Sequence, residues 1–226
     1  MKIKNLLAVA ALCLFSSTAS AQCRDYNGIY FQYNPTFLIN SDYAPYYYET
    51  GVANGLTMGY VRSIPISSKI PFFLEVGGNL EYGFITEKPW NNYKDIRFTT
   101  HKMSFNIPVN FGYSFGLGSE RLALNPYVGV RMRFNFLGQG VMSNNSDSET
   151  INFFSSDDLN SDYTWNVFQV GLQAGVKFII NKHFMLEAGY SYDFIPLAKC
   201  VNTKTKTREE DYLYTMALNF GIGFCW

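Results

Sequence analysis

The sequence predicts an all-β chain: eight antiparallel strands in up-and-down order, closed into a transmembrane barrel with short periplasmic turns and longer extracellular loops. Three observations predict it. Large apolar residues alternate with small or polar ones, at period two, in eight separate stretches. The connections between those stretches alternate between short and long. The chain opens on an export signal.

That signal occupies residues 1–21. Lys2 and Lys4 form a positive n-region, Leu6 to Phe15 an apolar run of ten, and Ala19-Ser20-Ala21 a small-x-small cleavage site. Cleavage is expected between Ala21 and Gln22, leaving 22–226 as the outer-membrane β-barrel domain. Ten apolar residues are too few for a membrane-spanning helix, and no other stretch comes near the required length. Gln22 stands where a lipobox needs a small residue, which argues against lipidation of Cys23. The 17 Tyr and 20 Phe, with only 16% charged residues, suit strands and membrane-interface girdles. Without Lys2 and Lys4 the 18 basic residues fall to 16 against 18 acidic, a balance that points away from nucleic acid.

Taken in order, the apolar face of strand one is Ile29, Phe31, Tyr33, Pro35 and Phe37, and that of strand two is Val52, Leu56, Met58 and Tyr60. Strand three alternates from Phe72 to Phe84, strand four from Met103 to Phe115 and strand five from Leu122 to Phe136. Strand six runs from Phe168 to Phe178 and strand seven from Phe184 to Phe194. Strand eight alternates over fifteen residues, from Tyr212 to Trp226, longer than a typical globular strand. The short connections are 63–70, 116–121 and 181–183; the segments around 40–50, 86–100, 138–162 and 196–209 are longer and polar. Turn lengths agree with face parity. Strands six and seven share parity and are joined by three residues, whereas strands four and five differ and are joined by six.

A soluble β-sandwich or calycin-like barrel is the rival reading, with the apolar faces inward. The opposite faces argue against it. They carry Glu75, Glu81, Glu187 and Asp193 against Lys102, Arg131, Arg133 and Lys177, with Gly, Ser, Asn and Gln between. A water-facing surface of this length would carry more charge. A balanced set fits a polar interior, because buried ions need partners, and an eight-stranded interior is just wide enough to be filled by its own side chains. Lys177 and Glu187 are expected directly opposite each other across their hairpin, and Glu81 near Lys102.

Some of these residues have a familiar look. Ser104-Phe105-Asn106-Ile107-Pro108-Val109 resembles a mid-barrel strand, Asn125-Pro126-Tyr127-Val128-Gly129 a Pro-Tyr-x-Gly strand start, and Phe220-Gly221-Ile222-Gly223-Phe224 with Trp226 a C-terminal barrel-assembly signal. On these motifs the chain, from about Asn27 to Trp226, resembles the small outer-membrane β-barrels common in Bacteroidota-type bacteria, loosely related to the OmpA/OmpX-like barrels. The resemblance implies the fold, the outer-membrane location and the assembly machinery as a partner during biogenesis, read through Phe220, Ile222, Phe224 and Trp226. It implies no single activity.

Candidate chemistry is sparse. His101 and His183 are the only histidines. His183 falls in a short turn, and Ser104 is on the opposite face from His101, so no nucleophile–base pair forms locally. Neither a metal nor a cofactor is expected, since no His/Cys cluster exists. The loop 138–162 carries Asp147, Glu149, Asp157, Asp158 and Asp162 without an EF-hand spacing, as expected of a solvated loop. Lys199, Lys204, Lys206 and Arg208 form a basic segment that could meet lipopolysaccharide phosphates. Of Cys23, Cys200 and Cys225, export permits a disulfide, and an odd count leaves one thiol over. The expected role is non-enzymatic: a barrel that anchors exposed loops for lipid, surface or envelope-protein contacts. The alternatives are a component or assembly factor of an envelope secretion or transport system, a narrow pore, or a lipid A-modifying enzyme.

Overall fold

Period-two alternation sends one side chain outward and the next inward along each strand, and the computed structural model realises it in residues 25–40, 52–87, 97–117, 121–143, 147–155, 163–202 and 209–226, which are those described. Among them are twelve strands: β1 Tyr26–Tyr33, β2 Thr36–Asn40, β3 Val52–Pro65, β4 Phe72–Glu87, β5 Arg97–Tyr113, β6 Phe115–Gly116, β7 Leu122–Ser143, β8 Ser148–Asn152, β9 Tyr163–Trp165, β10 Phe168–Ile180, β11 Phe184–Asn202 and β12 Glu209–Cys225. Every pairing is antiparallel. From β3 the ladders pass through β4, β5, β7, β10 and β11 to β12. β1 and β2 each pair with both β12 and β3, so the ladders return to their start in a ring of eight positions. No described helix is long and apolar enough to cross a membrane.

The segmentation departs from eight uninterrupted strands. Strand one divides at Asn34-Pro35 because Pro35 has no N–H for the ladder; Asn34 and Gly55 bridge the break by exchanging both backbone hydrogen bonds, at 2.8 and 3.0 Å. The ladder of strand four is interrupted at Ser114, whose N–H turns to the Pro71 carbonyl at 2.8 Å, leaving β6 separate. The expected loop 138–162 begins as strand instead. β7 runs on to Ser143 and pairs with β8 from Gln139↔Asn152 to Ser143↔Ser148. Backbone pairing persists there after the apolar contrast between the two faces has faded.

Two bulges shape the end carrying the long connections. Opposite Met103 and Ser104 the register jumps from Leu137 to Asn135, leaving Phe136 as the extra residue. On β11 the ladder to β12 lapses between Asp193 and Ala198. That lapse turns Leu197 and Ala198 into the interior. The segment's carbonyls are still satisfied: Asn166 N–H donates to Leu197 O at 2.6 Å, Asn166 Nδ2 to Pro196 O at 2.7 Å and Gln169 Nε2 to Ile195 O at 3.2 Å.

The outside of the ring is an apolar belt. Phe31, Leu56, Met58, Leu80, Val128, Leu172, Phe184 and Ile222 are all more than half exposed or close to it. A continuous surface of this kind does not persist in water. The inside is the reverse, with apolar side chains gathered at its two ends. Tyr26, Tyr30, Val61, Ala123, Ile179, Met185 and Cys225 cluster near the short turns. Phe153, Trp165, Leu197, Ala198 and Leu213 cluster at the other end, against Leu38, Ile151 and Phe154.

Candidate functional site

Between the two apolar caps lie the eight inward charges, all buried: Glu75, Glu81, Lys102, Arg131, Arg133, Lys177, Glu187 and Asp193. Strand parity delivers each to the interior, and ring closure brings distant strands together. The charges sort into two clusters. Nearer the short turns, Lys177 is held between two carboxylates. Its Nζ contacts Glu75 Oε1 closely across the interior and lies 3.9 Å from Glu187 Oε2, its register neighbour on β11. Tyr26 Oη donates to Glu75 at 2.7 Å, Asn110 Nδ2 to Glu75 at 2.9 Å, and Tyr127 Oη to Glu187 at 2.5 Å. The ammonium also stands 5.2 Å from the centre of the Tyr127 ring.

The second cluster centres on Arg133, which is fully buried. Its three nitrogens donate to Asn106 Oδ1 at 2.9 Å, Asp193 Oδ2 at 2.8 Å and Glu81 Oε2 at 2.8 Å. Arg131 Nη2 donates to both oxygens of Asp193, at 2.9 and 3.1 Å, and Thr215 Oγ1 to Asp193 at 2.6 Å. Lys102 Nζ is 3.2 Å from Glu81 Oε1. An amide relay leads from the second cluster to Tyr30: Asn106 Nδ2 donates to Asn79 Oδ1 at 2.7 Å, and Asn79 Nδ2 to Tyr30 Oη at 2.9 Å. The formal charges balance over the whole set but not within each cluster. Two carboxylates face one ammonium in the first, and three cations face two carboxylates in the second.

The other sequence-derived candidates are scattered. Phe220, Ile222, Phe224 and Trp226 point outward on or just beyond β12. Ala21, Gln22 and Cys23 lie outside the described residues, as do Asp157, Asp158, Asp162, Lys204, Lys206 and Arg208. Cys225 is buried in the short-turn cap, and Lys199 and Cys200 fall on β11. His101 faces outward, its Nδ1 2.7 Å from Tyr82 Oη, while Ser104 is buried inside. His183 stacks on Phe224 at 5.5 Å. Among the described residues no three His, Cys, Asp or Glu side chains converge as a metal site. Sequence reasoning missed the aromatic and amide partners Tyr26, Tyr127, Asn79, Asn106 and Asn110. All five share the parity of the inward charges, and that was the signal available for them.

The profile of the outer membrane protein beta-barrel domain family matches residues 6–224, nearly the whole chain. The chain belongs to that family. It is therefore an outer-membrane β-barrel protein, and the apolar belt is the surface that meets lipid. Among solved structures it is similar to Ail, the attachment invasion locus protein of Yersinia pestis, at 11% identity and TM-score 0.45, covering 90% of this chain and 99% of that one. It is also similar to Neisserial surface protein A, at 15% identity and TM-score 0.44, covering 88% and 96%. OprG from Pseudomonas aeruginosa is similar at 10% identity and TM-score 0.42, covering 92% and 99%. No curated protein matches the chain.

Proposed function

We propose that this protein is a non-enzymatic, eight-stranded barrel that anchors exposed connections in the outer membrane and conducts nothing appreciable. The observation that carries the reading is the filled interior: two buried charge clusters with hydrogen-bonded amides beside them, closed at each end by an apolar cap. An eight-stranded interior has little room beyond its own side chains. The long connections then face the cell exterior and present Lys199, Lys204, Lys206 and Arg208 to lipopolysaccharide phosphates. The signal is cleaved after Ala21, and Phe220, Ile222, Phe224 and Trp226 guide assembly.

Planar-bilayer recording of the purified protein tests the sealed interior: no steady conductance is expected, and large stable channels would overturn the reading. Replacing the four basic residues with Ala is expected to lower the lipopolysaccharide retained on purification. Unchanged retention removes that contact from the proposal.

A further inference from the structure

The rim that carries the short turns is basic. The connections 63–70, 116–121 and 181–183 hold Lys69, Arg121, Lys182 and His183 against one acid, Glu120. We infer that the rim where β7, β10, β11 and β12 meet is a binding site for an anionic glycerophospholipid, with its phosphate on Lys182 and its acyl chains on the apolar wall alongside. The leaflet, the inner one, rests on the reading that the long connections face the cell exterior; the chemistry of the site does not.

Backbone contacts draw the rim together. Asn181 N–H donates to the Arg121 carbonyl at 2.6 Å, and Cys225 N–H to the His183 carbonyl at 2.6 Å. Arg121 and Lys182 are both exposed. His183 is committed to the fold: its Nδ1 meets the Cys225 carbonyl at 3.1 Å and its ring stacks on Phe224. Glu120 precedes Arg121 in the sequence, so the site depends on the charge of Lys182. Among the described residues Lys182 has no carboxylate partner.

Lys182 also stands where a lysine is disfavoured. Its φ of 64° is left-handed, a conformation that penalises a residue with a Cβ and that Gly adopts freely. The backbone of this turn suits Gly or Asn. A lysine held there against that preference points to a use for its charge outside the chain.

The wall supplies the other half of the ligand. Leu122, Ile180, Phe184 and Phe224 are successive register neighbours across the four strands. Leu122, Phe184 and Phe224 are exposed, as are Phe178 and Leu186 in the next row. A soluble anion would use Lys182 and leave this wall bare. A neutral lipid would use the wall and leave the charge. A zwitterionic lipid brings its own ammonium beside the phosphate, which opposes Lys182. A phospholipid with net negative charge satisfies both parts.

The test equilibrates the full-length folded protein in mixed detergent micelles with equal dioleoyl-phosphatidylglycerol and dioleoyl-phosphatidylethanolamine. Lipids that stay bound are counted by native mass spectrometry. Phosphatidylglycerol is expected to be retained in preference. Lys182→Gly, which removes the charge and suits the backbone, is expected to reduce that preference about fivefold, the weight of one basic residue at an anionic surface. Lys69→Ala, in a different short turn, is expected to leave it unchanged. Equal retention of the two lipids overturns the inference, and so does an undiminished preference in Lys182→Gly or an equal loss in Lys69→Ala. Should Lys182→Gly fail to give the heat-modifiable folded band, Lys182→Asn, which also tolerates the left-handed region, replaces it. Sidedness is read separately. An epitope inserted after Asp157 that antibodies cannot reach on intact cells overturns the outward orientation and the leaflet with it, whereas the micelle measurement involves no leaflet.

Discussion

At the scale of single residues, Lys177 shows what strand register can and cannot reveal. Parity places it inward, and the hairpin places Glu187 opposite it, yet its closer carboxylate is Glu75, 102 residues away in sequence. Contacts across the interior depend on the stagger and closure of the ring, which no local pattern encodes. Removing a buried cation strands its partners, so Lys177→Met is expected to cost about 3–5 kcal/mol in urea unfolding from lipid vesicles. Adding Glu75→Gln to that variant should recover part of the loss, because one of the two exposed obligations is then neutral. A recovery of nothing would show that Glu187 is the dominant partner. Gly175 makes a related point. A Cβ there would meet Tyr127 Oη at 2.6 Å and the Ala188 carbonyl at 2.7 Å, the latter being backbone that cannot step aside. Gly175→Ala is expected to push Tyr127 off Glu187 and to cost about 1–3 kcal/mol, as overpacking does, read in the same unfolding assay. In the sequence Tyr127 stood out only as part of a Pro-Tyr-x-Gly strand start; its odd number on a strand whose even residues face lipid was the sign that it points inward.

At the scale of elements, the membrane-facing part of each strand was legible and the rest was not. Outward residues from Leu56 to Tyr60 on β3, or from Phe220 to Phe224 on β12, contrast sharply with their neighbours because lipid lies on one side and a polar interior on the other. Beyond the lipid that contrast vanishes, and with it the signal. This is why β8 and β9 were invisible, and why the cap residues Phe153 and Trp165 were not foreseen, although their rings stack 4.6 Å apart. The short turn between β10 and β11 is better defined. Asn181 and Lys182 both have positive φ, 53° and 64°, and His183 N–H closes the turn onto the Ile180 carbonyl at 3.1 Å. Asn tolerates this region; Lys gains nothing from it, and a β-branched residue is worse. Lys182→Val is expected to lose about 1–2 kcal/mol, whereas Lys182→Gly should be neutral or slightly stabilising. Equal stability of the two variants would mean that the turn relaxes out of the left-handed region.

At the scale of the whole molecule, two caps and two charge clusters act in series along one axis. Breaking one obstruction should not open the rest. Phe153→Ala with Trp165→Ala is therefore expected to leave bilayer conductance near zero, because Arg133 still bridges Glu81 and Asp193. Steady current from that variant would show that the upper cap is the sole barrier. The ring itself closes along one particular seam. β1 meets β12 from Gly28↔Cys225 to Tyr33↔Phe220, and Asn27 and Trp226 exchange backbone hydrogen bonds of 3.0 and 2.9 Å at its edge. These are the most distant partners in sequence, and loop closure of that span comes late. Timing follows from this geometry. The first strand emerges from synthesis with no permanent partner on that side and waits until residues 220–226 exist. Closure therefore cannot precede the synthesis of residues 220–226, and until it happens the chain carries two unpaired strand edges.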